Sequence, residues 1–122
     1  MKTSSYTLIP STAFGTANEN YDPLVGDFFS GIPQKAAAYY SKDKSVQTVS
    51  WYLTTFVGII TIEATLDADS TTDNYFPIHT VDRSVTAVTE NDFANLEGNY
   101  TWIRATVTDF SSGQIGKISL GY

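Results

Sequence analysis

Apolar and polar residues alternate most regularly in the middle of the chain. Over residues 58–66, Ile60, Ile62, Ala64 and Leu66 fall on one side of an extended backbone, and Thr61, Glu63 and Thr65 fall on the other. A period of two marks a strand with one buried face. Val49, Trp51 and Leu53 form a similar row before it. After it come Ile103, Ala105 and Val107, with Trp102, Arg104, Thr106 and Thr108 turned outward. Ile118, Leu120 and Tyr122 predict a closing strand locked into the sheet. Residues 54–57 read as the turn between the first two strands, and 67–73, 82–84 and 90–95 as further turn-rich pieces. Short strands at this spacing, rich in Val, Ile, Thr, Tyr and Trp, predict an antiparallel β-sandwich over residues 46–122, jelly-roll-like in outline.

Residues 1–45 have a different texture. Pro10, Pro23 and Pro33 alternate with Gly15, Gly26 and Gly31, which excludes a long helix and favours extended, turn-punctuated chain. The apolar patches there are short: Tyr6-Thr7-Leu8-Ile9 and Leu24-Val25-Gly26-Asp27-Phe28-Phe29. Ala36-Ala37-Ala38 supports one helical turn, ended by Ser41 and Lys42-Asp43-Lys44. The expected organisation is an extended N-terminal arm with short strands over 1–45 and a sandwich domain over 46–122.

With 122 residues the chain has length for one domain with a proper core. It has no cysteine, which rules out thiolate catalysis, disulfides and zinc–thiolate sites and suits a reducing compartment. The net charge is −6 and the basic residues are scattered, so the clustered cations that bind a phosphate backbone are missing and nucleic acid is not expected as a partner. The longest apolar run, 56–62, is too short to cross a bilayer, and Met1-Lys2-Thr3-Ser4-Ser5 leads into no apolar leader segment. No membrane association is expected.

Candidate chemistry is sparse. Asp67, Asp69 and Asp73 put three carboxylates on one loop, the kind of oxygen cluster calcium takes, but the glycine and distal glutamate of an EF-hand are missing and acidic residues are ordinary in exposed turns. His79 has no second histidine or cysteine to share a metal, and a structural role is expected for it. Glu63 could join a carboxylate pair for glycoside hydrolysis or simply face solvent. Neither a Gly-x-Ser-x-Gly elbow nor a phosphate-cradling glycine loop occurs, and Asn99-Tyr100-Thr101 matches a glycosylation sequon without a secretion leader. No catalytic residue, cofactor or metal is expected.

The aromatic residues are more informative: 8 Tyr, 7 Phe and 2 Trp. Many must fill the core. Phe28-Phe29 and Tyr39-Tyr40, however, place adjacent rings on opposite sides of an extended segment, and a thin arm cannot bury both sides alone. Together with Tyr6 these are the expected subunit contacts. Sugar stacking on Trp51, Tyr52 or Trp102 is the rival use of exposed rings.

The pattern Gln47-Thr48-Val49, Phe56-Val57-Gly58-Ile59-Ile60-Thr61-Ile62-Glu63-Ala64-Thr65-Leu66, Tyr75-Phe76 and Gly98-Asn99-Tyr100-Thr101-Trp102-Ile103-Arg104-Ala105 resembles the small β-sandwich modules of tailed bacteriophage virion proteins, those of phages of marine cyanobacteria above all. The resemblance covers residues 46–122 and is weaker around Tyr39-Tyr40. It implies a non-enzymatic virion structural protein, assembled in the host cytoplasm, with no catalytic residues to carry over. The expected role is capsid decoration (cement), with the arm lying on the major capsid protein or a sister copy, ordering on binding, and copies associating as homo-oligomers such as trimers. The alternatives are a fibre, neck or baseplate component built on the same module, or a carbohydrate-binding module for host glycans.

Overall fold

The computed structural model describes residues 5–39 and 45–122. The chain is all-β and antiparallel. Strands β1 (Ser5–Ile9), β2 (Thr12–Ala13), β3 (Phe29–Ser30) and β4 (Gln34–Lys35) precede a 3-10 turn, Ala37–Tyr39. Three long strands follow: β5 (Val46–Thr65), β6 (Phe76–Glu97) and β7 (Trp102–Gly121). All seven strands belong to one sheet in which β5 lies between β6 and β7, and β1 to β4 pair with the other edge of β7.

The long strands are doubled over. The link from β6 to β7 touches both ends of β5: Gly98 N–H donates to the Ser45 carbonyl at 2.7 Å, and Thr101 N–H to the Thr65 carbonyl at 2.9 Å. A straight strand of 20 residues would be about 65 Å long at ~3.3 Å per residue. Three residue steps reach only about 10 Å. β5 therefore folds back at its middle, and its neighbours fold with it. The corner in β5 is Thr55, held at φ +45°; in β7 it is Asp109 at +53° and Gly113 at +85°. In β6, Arg83 and Glu90 are seven residues apart yet form a 2.8 Å ion pair, closing an outward kink with Val85 exposed at its tip. Gly113 is required there, because a Cβ would stand 2.2 Å from the Thr55 carbonyl oxygen.

Doubling brings the apolar faces of the two halves together. Val49, Trp51, Leu53, Ile115, Ile118 and Leu120 from one half share a core with Ile60, Ile62, Ala64, Ile103, Ala105 and Val107 from the other. Trp51 and His79 come from opposite halves and stack at 5.7 Å across it. The four rows expected from the sequence are buried, except Tyr122, which is half-buried, and Leu66, which lies just past the end of β5 and is exposed while Thr65 beside it is buried.

Several expectations are corrected. Residues 54–57 do not separate two strands; they are the bend of one. The 82–84 turn exists, with the Asp82 carboxylate accepting from both the backbone N–H and hydroxyl of Ser84, but it lies within β6. Residues 90–95 are regular strand paired with β5. Their Asp and Asn side chains point to solvent from a sheet edge, where such residues cost little.

Residues 5–39 follow the outer edge of β7 from Ser5 opposite Gly121 to Lys35 opposite Trp102. Leu8, Ile9, Tyr21, Phe29 and Ala36 belong to the same core as β5 and β7. The leading segment is thus pinned to its own sheet rather than extended away from it. It doubles with β7, so that Gly31 crosses β1 closely enough that a Cβ would stand 1.8 Å from the Leu8 carbonyl oxygen. Gln34 Nε2 donates to the Thr7 carbonyl at the same crossing.

Candidate functional site

Between β2 and β3 the leading segment leaves β7 and forms a loop, residues 14–28, at the sheet's corner. Its internal ties are specific. The Asn18 carboxamide oxygen accepts from the backbone N–H groups of Asn20 and Tyr21, and its nitrogen donates to Thr12 Oγ1 at 2.8 Å. The buried Tyr21 ring packs 5.1 Å from Phe29 and 5.2 Å from Phe110, and its hydroxyl accepts from Gly15 N–H. Phe110 also meets Phe56 at 5.6 Å and Phe14, edge-on, at 5.5 Å. Phe110 N–H donates to the Asp27 carbonyl, closing the loop on β7.

This framework holds apolar side chains outward. Leu24 is 95% exposed, Val25 71%, Phe28 57% and Phe14 49%. A shallow groove of about 380 Å³ runs beside them, lined by Phe14, Tyr21, Pro23, Gly26, Asp27, Phe110 and Ser111. Loops rigidly mounted on a scaffold, with uncovered apolar groups, are where binding surfaces occur.

The expected contact residues fare differently. Phe28 and Phe29 do lie on opposite sides: Phe28 points to solvent, while Phe29 is 5% exposed and belongs to the chain's own core, which leaves it no surface to offer a partner. Tyr6 is half-buried with its ring 5.5 Å from Tyr122. Tyr39 packs edge-on against Trp102 at 5.3 Å, with Lys35 Nζ 4.8 Å above its ring. Tyr40 lies outside the described residues. The sequence reading missed Phe14, Leu24 and Val25 as surface groups. Their signal was the Leu24-Val25-Gly26 stretch beside Pro23, apolar residues in a segment too broken to bury them.

The other candidates settle into structural roles. Thr72 and Asn74 donate to Asp67, and Thr71 donates twice to Asp69. The Thr72 and Asn74 bonds hold the Asp67 carboxyl below its ordinary pKa, and the Thr71 backbone and hydroxyl bonds do the same for Asp69. Those carboxylates brace their own loop. Among the described residues no three of His, Cys, Asp and Glu are grouped to hold a metal ion. Glu63 accepts from Arg104 Nε at 2.8 Å and Thr106 Oγ1 at 2.7 Å, so it is a cross-strand tie. The Arg104 guanidinium lies 3.9 Å over the Tyr75 ring, whose hydroxyl pKa burial raises while Arg104 partly opposes the rise. Trp51 is 3% exposed and cannot stack on a sugar. No helix among the described residues is long and apolar enough to cross a membrane.

No protein-family model matches the chain, and no curated protein matches it.

Proposed function

We propose that this chain is a non-enzymatic virion structural protein of a tailed bacteriophage, a capsid decoration (cement) protein whose doubled sheet serves as a jelly-roll-like β-sandwich. The reading is carried by the 14–28 loop, which presents Leu24, Val25, Phe28 and Phe14 to solvent on a base fixed by Asn18, Tyr21 and Phe110. Apolar groups displayed from a rigid base lose little conformational freedom on docking, so their burial goes largely into affinity. The partner is the major capsid protein or another virion protein, and copies join as homo-oligomers, trimers among the options. Repeated over a shell, such contacts add buried area across each subunit seam. The resemblance of residues 46–122 to phage virion modules supports the same role, with the virion as the location and the host cytoplasm as the place of assembly.

The test is binding to purified, undecorated capsids. The intact chain sediments with the shells, and Leu24→Asp combined with Val25→Asp, at positions that touch little of the fold, abolishes co-sedimentation. Binding to tails or fibres but not shells would move the protein to the neck, baseplate or fibre. Equal binding by the double variant would remove the loop from the argument.

A further inference from the structure

The turn that carries the exposed pair Leu24 and Val25 is closed at its base. The N–H groups of Val25 and Gly26 donate to the Asp22 carbonyl at 3.0 and 3.3 Å, and Leu24 N–H donates to the Asp22 carboxylate at 2.9 Å. Asp22 and Asp27 therefore stand at the foot of a turn whose tip is apolar. Glu19 is exposed on the same loop, and Asp109, also exposed, immediately precedes the Phe110 on which the loop packs. Asp22 has a local task as the cap of the turn. Glu19 and Asp27 have none: among the described residues no side-chain hydrogen bond or ion pair involves either.

The fold leaves this charge unanswered. No lysine or arginine lies between Phe14 and Phe28. The cations described elsewhere are engaged by the chain itself: Arg83 by Glu90, Arg104 by Glu63, Lys35 over the Tyr39 ring and Lys117 over the Tyr52 ring. Ser5, Tyr39 and Ser45, which adjoin the residues not described, belong to the opposite end of the sheet, beside Gly121, Trp102 and Gly98.

We propose that the 14–28 loop docks a cationic segment of a protein partner. Apolar side chains of that segment cover Leu24, Val25 and Phe28 and enter the groove beside them, while flanking Lys or Arg residues meet Asp22, Asp27 and Glu19. The inference rests on reading the loop as a docking surface and not on the virion assignment. Interfaces combine an apolar centre with a polar rim, and opposite charges across the rim speed encounter and reject wrong partners. A second copy meeting this face about a twofold axis would set the three carboxylates against their own equivalents, so copies do not pair here. Anionic lipid and nucleic acid are repelled by the same collar. A purely apolar partner would strip water from the carboxylates and return no counter-charge.

The test uses the intact chain labelled with nitrogen-15 and short synthetic peptides sharing one apolar core, Leu-Phe-Leu, flanked on both sides by lysines, glutamines or glutamates. A further peptide sets Ser-Gly-Ser between the lysines. Amide shifts at Leu24, Val25, Gly26, Asp27 and Phe110, with affinity falling from lysine to glutamine to glutamate flanks, support the proposal. Raising the salt from about 0.01 M to about 1 M shortens the screening length from about 30 Å to about 3 Å and removes the advantage of the lysines. Glu19→Gln combined with Asp27→Asn weakens the lysine-flanked peptide about three- to tenfold, as loss of two exposed charge pairs does, and leaves the glutamine-flanked one unaltered. The proposal is overturned if no peptide shifts the loop at millimolar concentration or if glutamine flanks bind as tightly as lysine flanks. It is equally overturned if the lysines bind as well without the apolar core, or if the E19Q and D27N pair changes nothing. Undecorated capsids separate the two readings. Shells that bind the neutralised variant as well as the unaltered chain, at low and high salt alike, overturn the cationic partner and keep the docking loop. A chain that binds no shell yet prefers the lysine-flanked peptide loses the virion role alone.

Discussion

The long strands and the leading segment share one core but are held in it by different means. β5 and β7 bury alternate residues along their length, so each tie is backed by the next. The segment 5–39 is held at scattered points: short pairings with β7, the Asn18 network, and the rings of Tyr21 and Phe29 around Phe110. A strand that alternates faithfully specifies its own place. A segment without alternation depends on a few anchors, and the residues between them are left to face outward. The uncovered Phe14, Leu24, Val25 and Phe28 are a result of that second mode of attachment.

The comparison is broken most severely at Phe110, the ring through which both regions meet. Phe110→Ala is expected to cost about 3–5 kcal/mol, as for large-to-small changes in a packed core. Urea denaturation checks it, and a cost below about 1 kcal/mol would mean that the cluster does not join the regions. Gly31→Ala comes next, at about 1–3 kcal/mol from overpacking against Leu8. Its effect should be regional: hydrogen exchange accelerates at Leu8 and Ile9 and changes little at Ile60 and Ile62. Uniform acceleration would show that the segment is as integral as the long strands. Glu63→Gln, on the outer face of β5, removes one charge from a half-buried pair and should cost about 0.2–1 kcal/mol, less so at high salt.

The smallest effect is in the loop after β5. Asp67 and Asp69 have folded pKa values below their ordinary 3.8, so their hydrogen bonds stabilise the loop above that pH and the contribution is lost as pH falls through the folded midpoints. Carboxyl carbon chemical shifts followed by NMR should give both midpoints below 3.8. A midpoint at or above it for Asp69 would show that Thr71 does not hold it.

Much of the core was legible because period two survives wherever pairing is regular. Ile60, Ile62 and Ala64 were placed by alternation alone, as were Ile103, Ala105 and Val107. Legibility failed where pairing slips. Thr54-Thr55 reads as a turn, and only the doubled sheet shows one strand bent through a left-handed threonine. β6 was hidden because a sheet edge exposes most of its side chains, so its composition resembles loop. Of the contact surface, the opposite facing of Phe28 and Phe29 follows from extended geometry, but which ring turned inward depended on Tyr21 and Phe110.

β7 lies between β5 on one side and the whole leading segment on the other, and it follows both in the chain. During translation residues 5–35 therefore leave the ribosome well before the strand they pair with. Ser5 cannot meet Gly121 until almost everything else described has been made. Contacts this distant make folding slow and keep apolar chain uncovered meanwhile. A nascent product stalled before β7 would have neither region in place, and a chaperone would find its binding segments among Leu8, Ile9 and the loop that follows.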